Sequence, residues 1–197
     1  MFFRYFLPAC LLAYLFTLVW RSYVLWKKTG INPFTLKNFA PVHDFVDRVY
    51  KLNLALLVMV VLVYALSPAA YFYLAPIRWL ENLSLQWIGV AFEIFSLVWI
   101  IIAQAQMGEA WRIGIDSEHR TPLVQKGLFC ISRNPIYIGG VIALLGLFLI
   151  IPNPLTLLIL IVGLVLFVVK VRLEENHLGK MHPREYAEYC QRVRRWL

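Results

Sequence analysis

The sequence predicts an all-α integral membrane protein: about five transmembrane helices and a C-terminal amphipathic helix on the cytoplasmic face. Three observations lead there. Hydrophobic residues make up 61% of the 197 and mean hydropathy is +0.69, more apolar surface than a soluble chain of this length can hide. Five apolar stretches each approach the ~20 residues needed to cross a ~30 Å hydrocarbon core. Lysines and arginines crowd into alternate connectors, as repeated crossing requires.

The first span runs from about Tyr5 to Trp26, with Arg21 near its end and able to snorkel to the interface. The stretch Met1–Trp26 has the look of a signal peptide, but it is long and no small-residue cleavage site follows its apolar core, so a retained span is expected. Lys27–Lys51 is a polar connector broken at Gly30, Asn32-Pro33 and Pro41, with Phe34, Phe39 and Phe45 placing part of it in the interface. The second span is about Leu52–Ala75, followed by a turn, Pro76–Asn82, and a third span, Leu83–Gln106. A second polar connector, Met107–Asn134, leads to the fourth span at Pro135; proline suits a helix start because its ring presets φ and it leaves no orphan amide. Gly139, Gly140 and Ala143 offer a small-residue face for close helix packing. Pro152-Asn153-Pro154 reverses the chain into the fifth span, about Leu155–Val171, so the last two spans form a hairpin. From Arg172 the chain is charged and helix-forming. Tyr186, Tyr189, Val193 and Trp196 recur at helical spacing, with Arg184, Arg192, Arg194 and Arg195 between them, which reads as a helix lying on the membrane face. The chain therefore divides into residues 1–106, three spans with a basic connector, and residues 107–197, a loop, hairpin and tail forming one unit.

The first connector holds six Lys and Arg (Arg21, Lys27, Lys28, Lys37, Arg48, Lys51), the next only Arg78, and the third four (Arg112, Arg120, Lys126, Arg133). The hairpin turn holds none and the tail from Lys170 holds seven. Positive residues stay inside, so the N-terminus is expected outside and the C-terminus in the cytoplasm. The small five-span plan points to a bacterial or archaeal cytoplasmic membrane. The net charge of +8 is then a matter of topology and anionic lipid, not nucleic acid. Cys10, Cys130 and Cys190 are far apart and form no CxxC, and Cys130 has no activating neighbour. Glu174-x-x-His177 has the spacing of a metal pair but no second copy, so no metal is expected; His182, without a nameable partner, reads as a surface residue. Gly139-Gly140 is not a dinucleotide fingerprint. Gln86, Glu93 and Gln104 fall within roughly 20° of one helical stripe at about 100° per residue. Such a stripe either faces a cavity or partner, or forms structural hydrogen bonds between helices.

Chemistry concentrates where the chain enters and leaves the hairpin. Arg133, Asn134 and Tyr137 open the fourth span; Arg172, Glu174 and Glu175 end the fifth. The hairpin brings these six into a small volume at the water–lipid boundary, where partial desolvation strengthens charge interactions. Arg172 and Glu175, three apart, are expected on one helix face. The plainer alternative is that these charges only anchor helix ends and pair with one another.

Gly108-x-x-Trp111, Leu123-Val124-x-Lys126-Gly127-Leu128-Phe129, Arg133-Asn134-Pro135-x-Tyr137, Arg172-x-Glu174-Glu175 and Tyr186-x-x-Tyr189 follow one another over about residues 105–197. In order and spacing they resemble the isoprenylcysteine carboxyl methyltransferase and phospholipid methyltransferase group of integral membrane enzymes. The resemblance implies S-adenosylmethionine as cofactor and transfer of its methyl group to an apolar or lipid-like acceptor, a carboxylate, thiol, amine or hydroxyl. It implies cofactor binding by Leu123, Val124, Lys126, Gly127, Asn134, Pro135, Tyr137, Glu174, Glu175 and Tyr186, and catalytic roles for Arg133, Arg172 and Glu175. Two departures stand out. Asn134 occupies the place of a histidine, so it can donate a hydrogen bond but cannot titrate. Met181-His182-Pro183 replaces a Phe-Gly before the tyrosine pair. A nicotinamide-dependent membrane reductase of sterol-like double bonds is the alternative enzyme, on Trp111-Arg112-x-Gly114. A small transporter or scaffold, with the Gln86–Glu93–Gln104 stripe lining a path, is the non-enzymatic one; the lack of an inverted repeat argues against it.

Overall fold

The computed structural model describes residues 1–30, 41–111 and 121–197, with side chains omitted at 41–43. Asn32-Pro33, Phe34, Lys37, Phe39, Arg112, Gly114 and Arg120 lie outside the described residues. Among those described the protein is all-α. Four helices are long and apolar enough to cross a membrane: α1 (Phe2–Thr29), α2 (Pro41–Leu66), α4 (Leu83–Met107) and α6 (Pro154–Met181). A fifth apolar helix, α5 (Pro135–Ile150), has 16 residues, about 24 Å at 1.5 Å per residue.

The first span starts and ends slightly beyond its expected bounds. Gly30 closes α1 in the left-handed region at φ +70, its amide donating to the Trp26 carbonyl at 2.8 Å. Arg21 bonds protein at the same end of the bundle. Its Nη2 donates to the Gly108 carbonyl at 2.7 Å, tying α1 to the end of α4.

The second span differs more. It begins at Pro41, not Leu52, and ends at Leu66, not Ala75. Residues 44–51 look polar in sequence, yet they are helical with Val46 buried and Asp44, Arg48 and Lys51 exposed. The end is set by Ser67-Pro68. Proline pushes its predecessor out of the helical region and donates no amide, and Ser67 is extended at φ −138, ψ 93. The Ser67 hydroxyl instead accepts from the Ala70 amide at 3.2 Å and starts a short helix, α3 (Pro68–Phe72).

Helix α4 forms at its expected bounds and packs antiparallel on α5. Gly89 and Gly146 allow the close approach: a methyl on Gly89 would lie 2.7 Å from the Gly146 carbonyl oxygen, and one on Gly146 2.9 Å from that of Gly89. Side chains of α4 bond the backbone of α5 along its length. Gln86 Nε2 donates to the Ile150 carbonyl at 3.2 Å, Ser96 Oγ to Gly139 at 2.6 Å and Trp99 Nε1 to Pro135 at 2.8 Å. The expected small-residue face splits: Gly139 meets Ile100 of α4, and Gly140 meets the Phe167 ring of α6.

The polar stripe of α4 bonds other helices. Gln86 reaches α5, and Tyr14 of α1 donates to Glu93 Oε2 at 3.1 Å and to its carbonyl at 3.0 Å. Glu93, only 4% exposed, also lines a mostly apolar cavity of about 180 Å³ between α1, α2, α4, α5 and α6.

At the hairpin turn the Asn153 and Thr156 side chains bond the turn itself, while the Pro152 carbonyl accepts from the Ile77 amide at 2.8 Å. The Asn153 side chain accepts from the amides of Leu155 and Thr156 at 3.0 Å each, and Thr156 Oγ1 accepts from the Asn153 amide at 3.1 Å. This is a capping box, buried throughout. Helix α6 then continues past the expected end of the fifth span, carrying Arg172–Glu175 on unbroken helix. The last helix, α7 (Pro183–Arg192), is amphipathic as expected but shorter: Val193 is extended at φ −124, ψ 132, so Val193 and Trp196 do not continue the helical stripe. Its tyrosines are turned onto the protein: Tyr186 and Tyr189 are buried against the segment that leads into α5.

Candidate active site

The open end of the α5–α6 hairpin is enclosed by three pieces of chain. The first is the segment 121–134. Gly127 sits at φ +62, and a side chain there would overlap Gln106, whose Nε2 lies 2.2 Å from the position of a methyl group. Only glycine fits. Gln106 Oε1 accepts from the Leu128 amide at 2.7 Å, fixing the single turn Gly127–Cys130 against the end of α4. The second piece is α7, which clamps this segment. Tyr189 Oη donates to the Phe129 carbonyl at 2.6 Å, Gln125 Nε2 to Glu185 at 2.9 Å, and Arg192 Nη2 to Gln125 Oε1 at 2.8 Å. His182, expected on the surface, is buried and lies 2.8 Å from the Thr121 carbonyl through Nε2.

The third piece is the extended tail after α7. The Arg133 amide donates to the Arg194 carbonyl at 3.0 Å. The Arg195 carbonyl accepts from Ser132 Oγ at 3.2 Å and from Asn134 Nδ2 at 3.1 Å. Ser132 Oγ in turn accepts from the Asn134 amide at 3.0 Å.

Glu175 is the centre of the cluster. Its Oε1 lies 3.2 Å from both Asn134 Nδ2 and Arg133 Nη2, and its Oε2 lies 2.8 Å from Arg195 Nε. The carboxylate is 9% exposed, so the ion pairs are desolvated and correspondingly stronger than surface pairs. Arg133 also stacks 6.0 Å from the Tyr186 ring centroid. Beside this group the Tyr137 hydroxyl donates to Glu174 Oε1. Two buried polar atoms in the cluster have no partner: Arg133 Nε and the Tyr186 hydroxyl. Burial pushes the Tyr186 and Tyr189 phenols up, that of Tyr189 to about 12, so both stay protonated donors at neutral pH.

Of the six residues expected to converge, Arg133, Asn134 and Glu175 meet directly and Tyr137 and Glu174 pair alongside them; Tyr186, expected as a cofactor-binding residue, packs on Arg133. Pro135 is buried at the start of α5; Leu123 and Val124 are half-buried in the segment before it; Gly127 and Lys126 are exposed at its turn. Arg172 is the correction: it is exposed and outside the cluster. The buried stripe of α6 runs through Val171 and Glu175, four apart. Arg172 falls past its edge, about 160° round the helix from Glu174 at ~100° per residue. Arg195 supplies the second guanidinium instead. Sequence reasoning placed it with its neighbours on a solvated helix face, and no local signal separates it from Arg192 or Arg194.

The cluster is thus a group of desolvated charges with two unpartnered buried donors at one hairpin end of an integral membrane helical bundle. The model of the phospholipid methyltransferase family matches residues 85–185, about half of the chain, and the protein belongs to that family. That stretch begins in α4 and ends in α7, taking in Arg133, Asn134 and Glu175 but stopping short of Arg195. The chain is also similar to protein-S-isoprenylcysteine O-methyltransferase B of Arabidopsis thaliana, 30% identical over 116 residues, which cover 58% of this chain and 57% of the relative. The match thus spans little more than half the length of that curated relative.

Proposed function

We propose that the protein transfers the methyl group of S-adenosylmethionine to an apolar, lipid-like acceptor at the mouth of the α5–α6 hairpin. The observation that carries this reading is the pair of buried, unpartnered donors, Arg133 Nε and the Tyr186 hydroxyl, in a cluster whose other polar groups are bonded. An unpaired buried polar group costs roughly 1–3 kcal/mol, so a site that leaves two is fitted to a polar ligand. Membership of a methyltransferase family supports the choice of ligand.

S-adenosylmethionine, when bound, supplies a methyl group made electrophilic by its sulfonium sulfur. The chain's own part is binding and alignment, since methyl transfer by direct displacement depends on positioning. Arg133 and Tyr186 hold the polar end of the cofactor, with Glu175 fixing the Arg133 guanidinium. The backbone of Leu123–Gly127 receives the nucleoside, and Gly127 keeps that turn free of side chain. Asn134 spends one amide hydrogen on Glu175 and the other on the Arg195 carbonyl, so in place of a histidine it holds the site together and moves no proton. The apolar part of the acceptor enters sideways between helices. The cavity of about 180 Å³ suits it, because Phe167 on its wall lies 5.5 Å, ring to ring, from Tyr137 at the mouth. With the mouth on the cytoplasmic face, the soluble cofactor and the lipid-like acceptor arrive by separate routes.

Calorimetric titration of the detergent-purified protein with S-adenosylhomocysteine, alongside Glu175→Gln, tests the reading. Micromolar binding that is lost in the variant is expected. A folded wild-type protein that binds none overturns it, and reduced nicotinamide becomes the next ligand to try.

A further inference from the structure

The cluster at the mouth has a charge imbalance. Two guanidiniums, Arg133 and Arg195, share one carboxylate, Glu175, and both oxygens of that carboxylate are occupied. The neighbouring carboxylate, Glu174, faces the other way and takes the Tyr137 hydroxyl. What is left over is positive: an Arg133 Nε–H with nothing to bond, a neutral phenol at Tyr186, and an Arg195 side chain still 29% exposed. A desolvated cluster with one surplus cation attracts an anion and repels an ammonium. Without Arg195 the same cluster is a neutral Arg133–Glu175 pair with a free carboxylate oxygen, which suits an ammonium equally well.

We propose that Arg195 is a specificity-determining residue: by placing a second guanidinium on Glu175 it commits the site to the carboxylate, not the ammonium, of the cofactor's amino-acid end. The inference rests on the methyltransferase reading and deepens it. Arg195 acts through Glu175, and its main chain acts through Asn134. The tail is anchored for this task, since the carbonyls of Arg194 and Arg195 accept three hydrogen bonds from Ser132, Arg133 and Asn134.

The test compares three ligands by calorimetry: S-adenosylhomocysteine, its decarboxylated analogue, which keeps the ammonium, and 5′-methylthioadenosine, which lacks the whole amino-acid end. The wild-type protein should bind the decarboxylated analogue about 10- to 100-fold more weakly than S-adenosylhomocysteine, the range of one charge-assisted hydrogen bond. Arg195→Gln should weaken S-adenosylhomocysteine by a similar factor and leave 5′-methylthioadenosine unchanged, and Arg195→Lys should recover part of the loss. Equal binding of S-adenosylhomocysteine and its decarboxylated analogue by the wild type overturns the proposal. So does an equal loss of S-adenosylhomocysteine and 5′-methylthioadenosine in Arg195→Gln, which marks a structural role. Should Arg195→Gln not fold, Arg195→Lys takes its place, and equal losses of S-adenosylhomocysteine and 5′-methylthioadenosine in that variant overturn the proposal. Failure of the wild type to bind any of the three sinks the cofactor reading itself, a separate outcome.

Discussion

The two ends of the α5–α6 hairpin are built from similar materials to opposite effect. Each has an asparagine before a proline that starts a helix, and each buries polar side chains among apolar ones. At the closed end Asn153 and Thr156 satisfy one another and the nearby amides, and Gln86 caps the Ile150 carbonyl from α4. At the open end Asn134 bonds outward to Glu175 and to a tail carbonyl some sixty residues along the chain, and two buried donors are left over. A capping box is local, so it stabilises its own turn and excludes any visitor. A cluster assembled from distant segments leaves donors that its own side chains do not bond. The two ends differ in whether their hydrogen bonds close among themselves.

Four substitutions break or sharpen this contrast. The largest effect is expected at Glu175. Glu175→Gln keeps the side chain's shape but removes the only charge that both guanidiniums contact, and methyl transfer should fall by about 100-fold or more, while circular dichroism still reports a helical protein. At the closed end the sign of the experiment reverses. Asn153→Ala should cost about 1–2 kcal/mol of stability, the usual value for a lost helix cap, seen in thermal unfolding, with activity per folded molecule unchanged. Tyr137→Phe removes the phenol that Glu174 accepts from and should reduce turnover roughly 3- to 10-fold, the worth of one hydrogen bond. Arg172→Ala should have the smallest effect, within about twofold in a kinetic assay, because an exposed arginine contributes little. A loss as large as that of Glu175→Gln would return Arg172 to the site.

Much of the fold was legible because the bilayer imposes a simple demand: about 20 apolar residues per crossing. The third span and the hairpin turn could be read to within a residue or two. The second span could not. Its first turns carry Asp47, Arg48 and Lys51 and look like connector, and Ser67-Pro68 breaks it inside an apolar run. The site was partly legible, since Arg133, Asn134 and Glu175 flank one hairpin and a hairpin fixes which ends meet. Spacing alone failed for Arg172: residues three apart share a face only within about 60°, and periodicity does not say where the buried arc ends. It failed for the tail as well. The Tyr186–Tyr189 stripe announces an apolar face without saying whether lipid or protein covers it, and the partner of Arg195 lies 20 residues away in sequence on another element.

The length of α5 has a consequence for the bilayer itself. At about 24 Å it is roughly 6 Å shorter than an average hydrocarbon core, whereas α4 and α6 on either side are 25 and 28 residues long. Such hydrophobic mismatch is relieved by thinning the membrane locally. Of the two ends of α5, the one where Arg133 and Asn134 begin the helix is the one that carries charge. A thinned bilayer at that end would bring headgroups and water to the depth of the charged cluster, and a mismatch relieved there would set the polar mouth and the apolar flank of the bundle at one level.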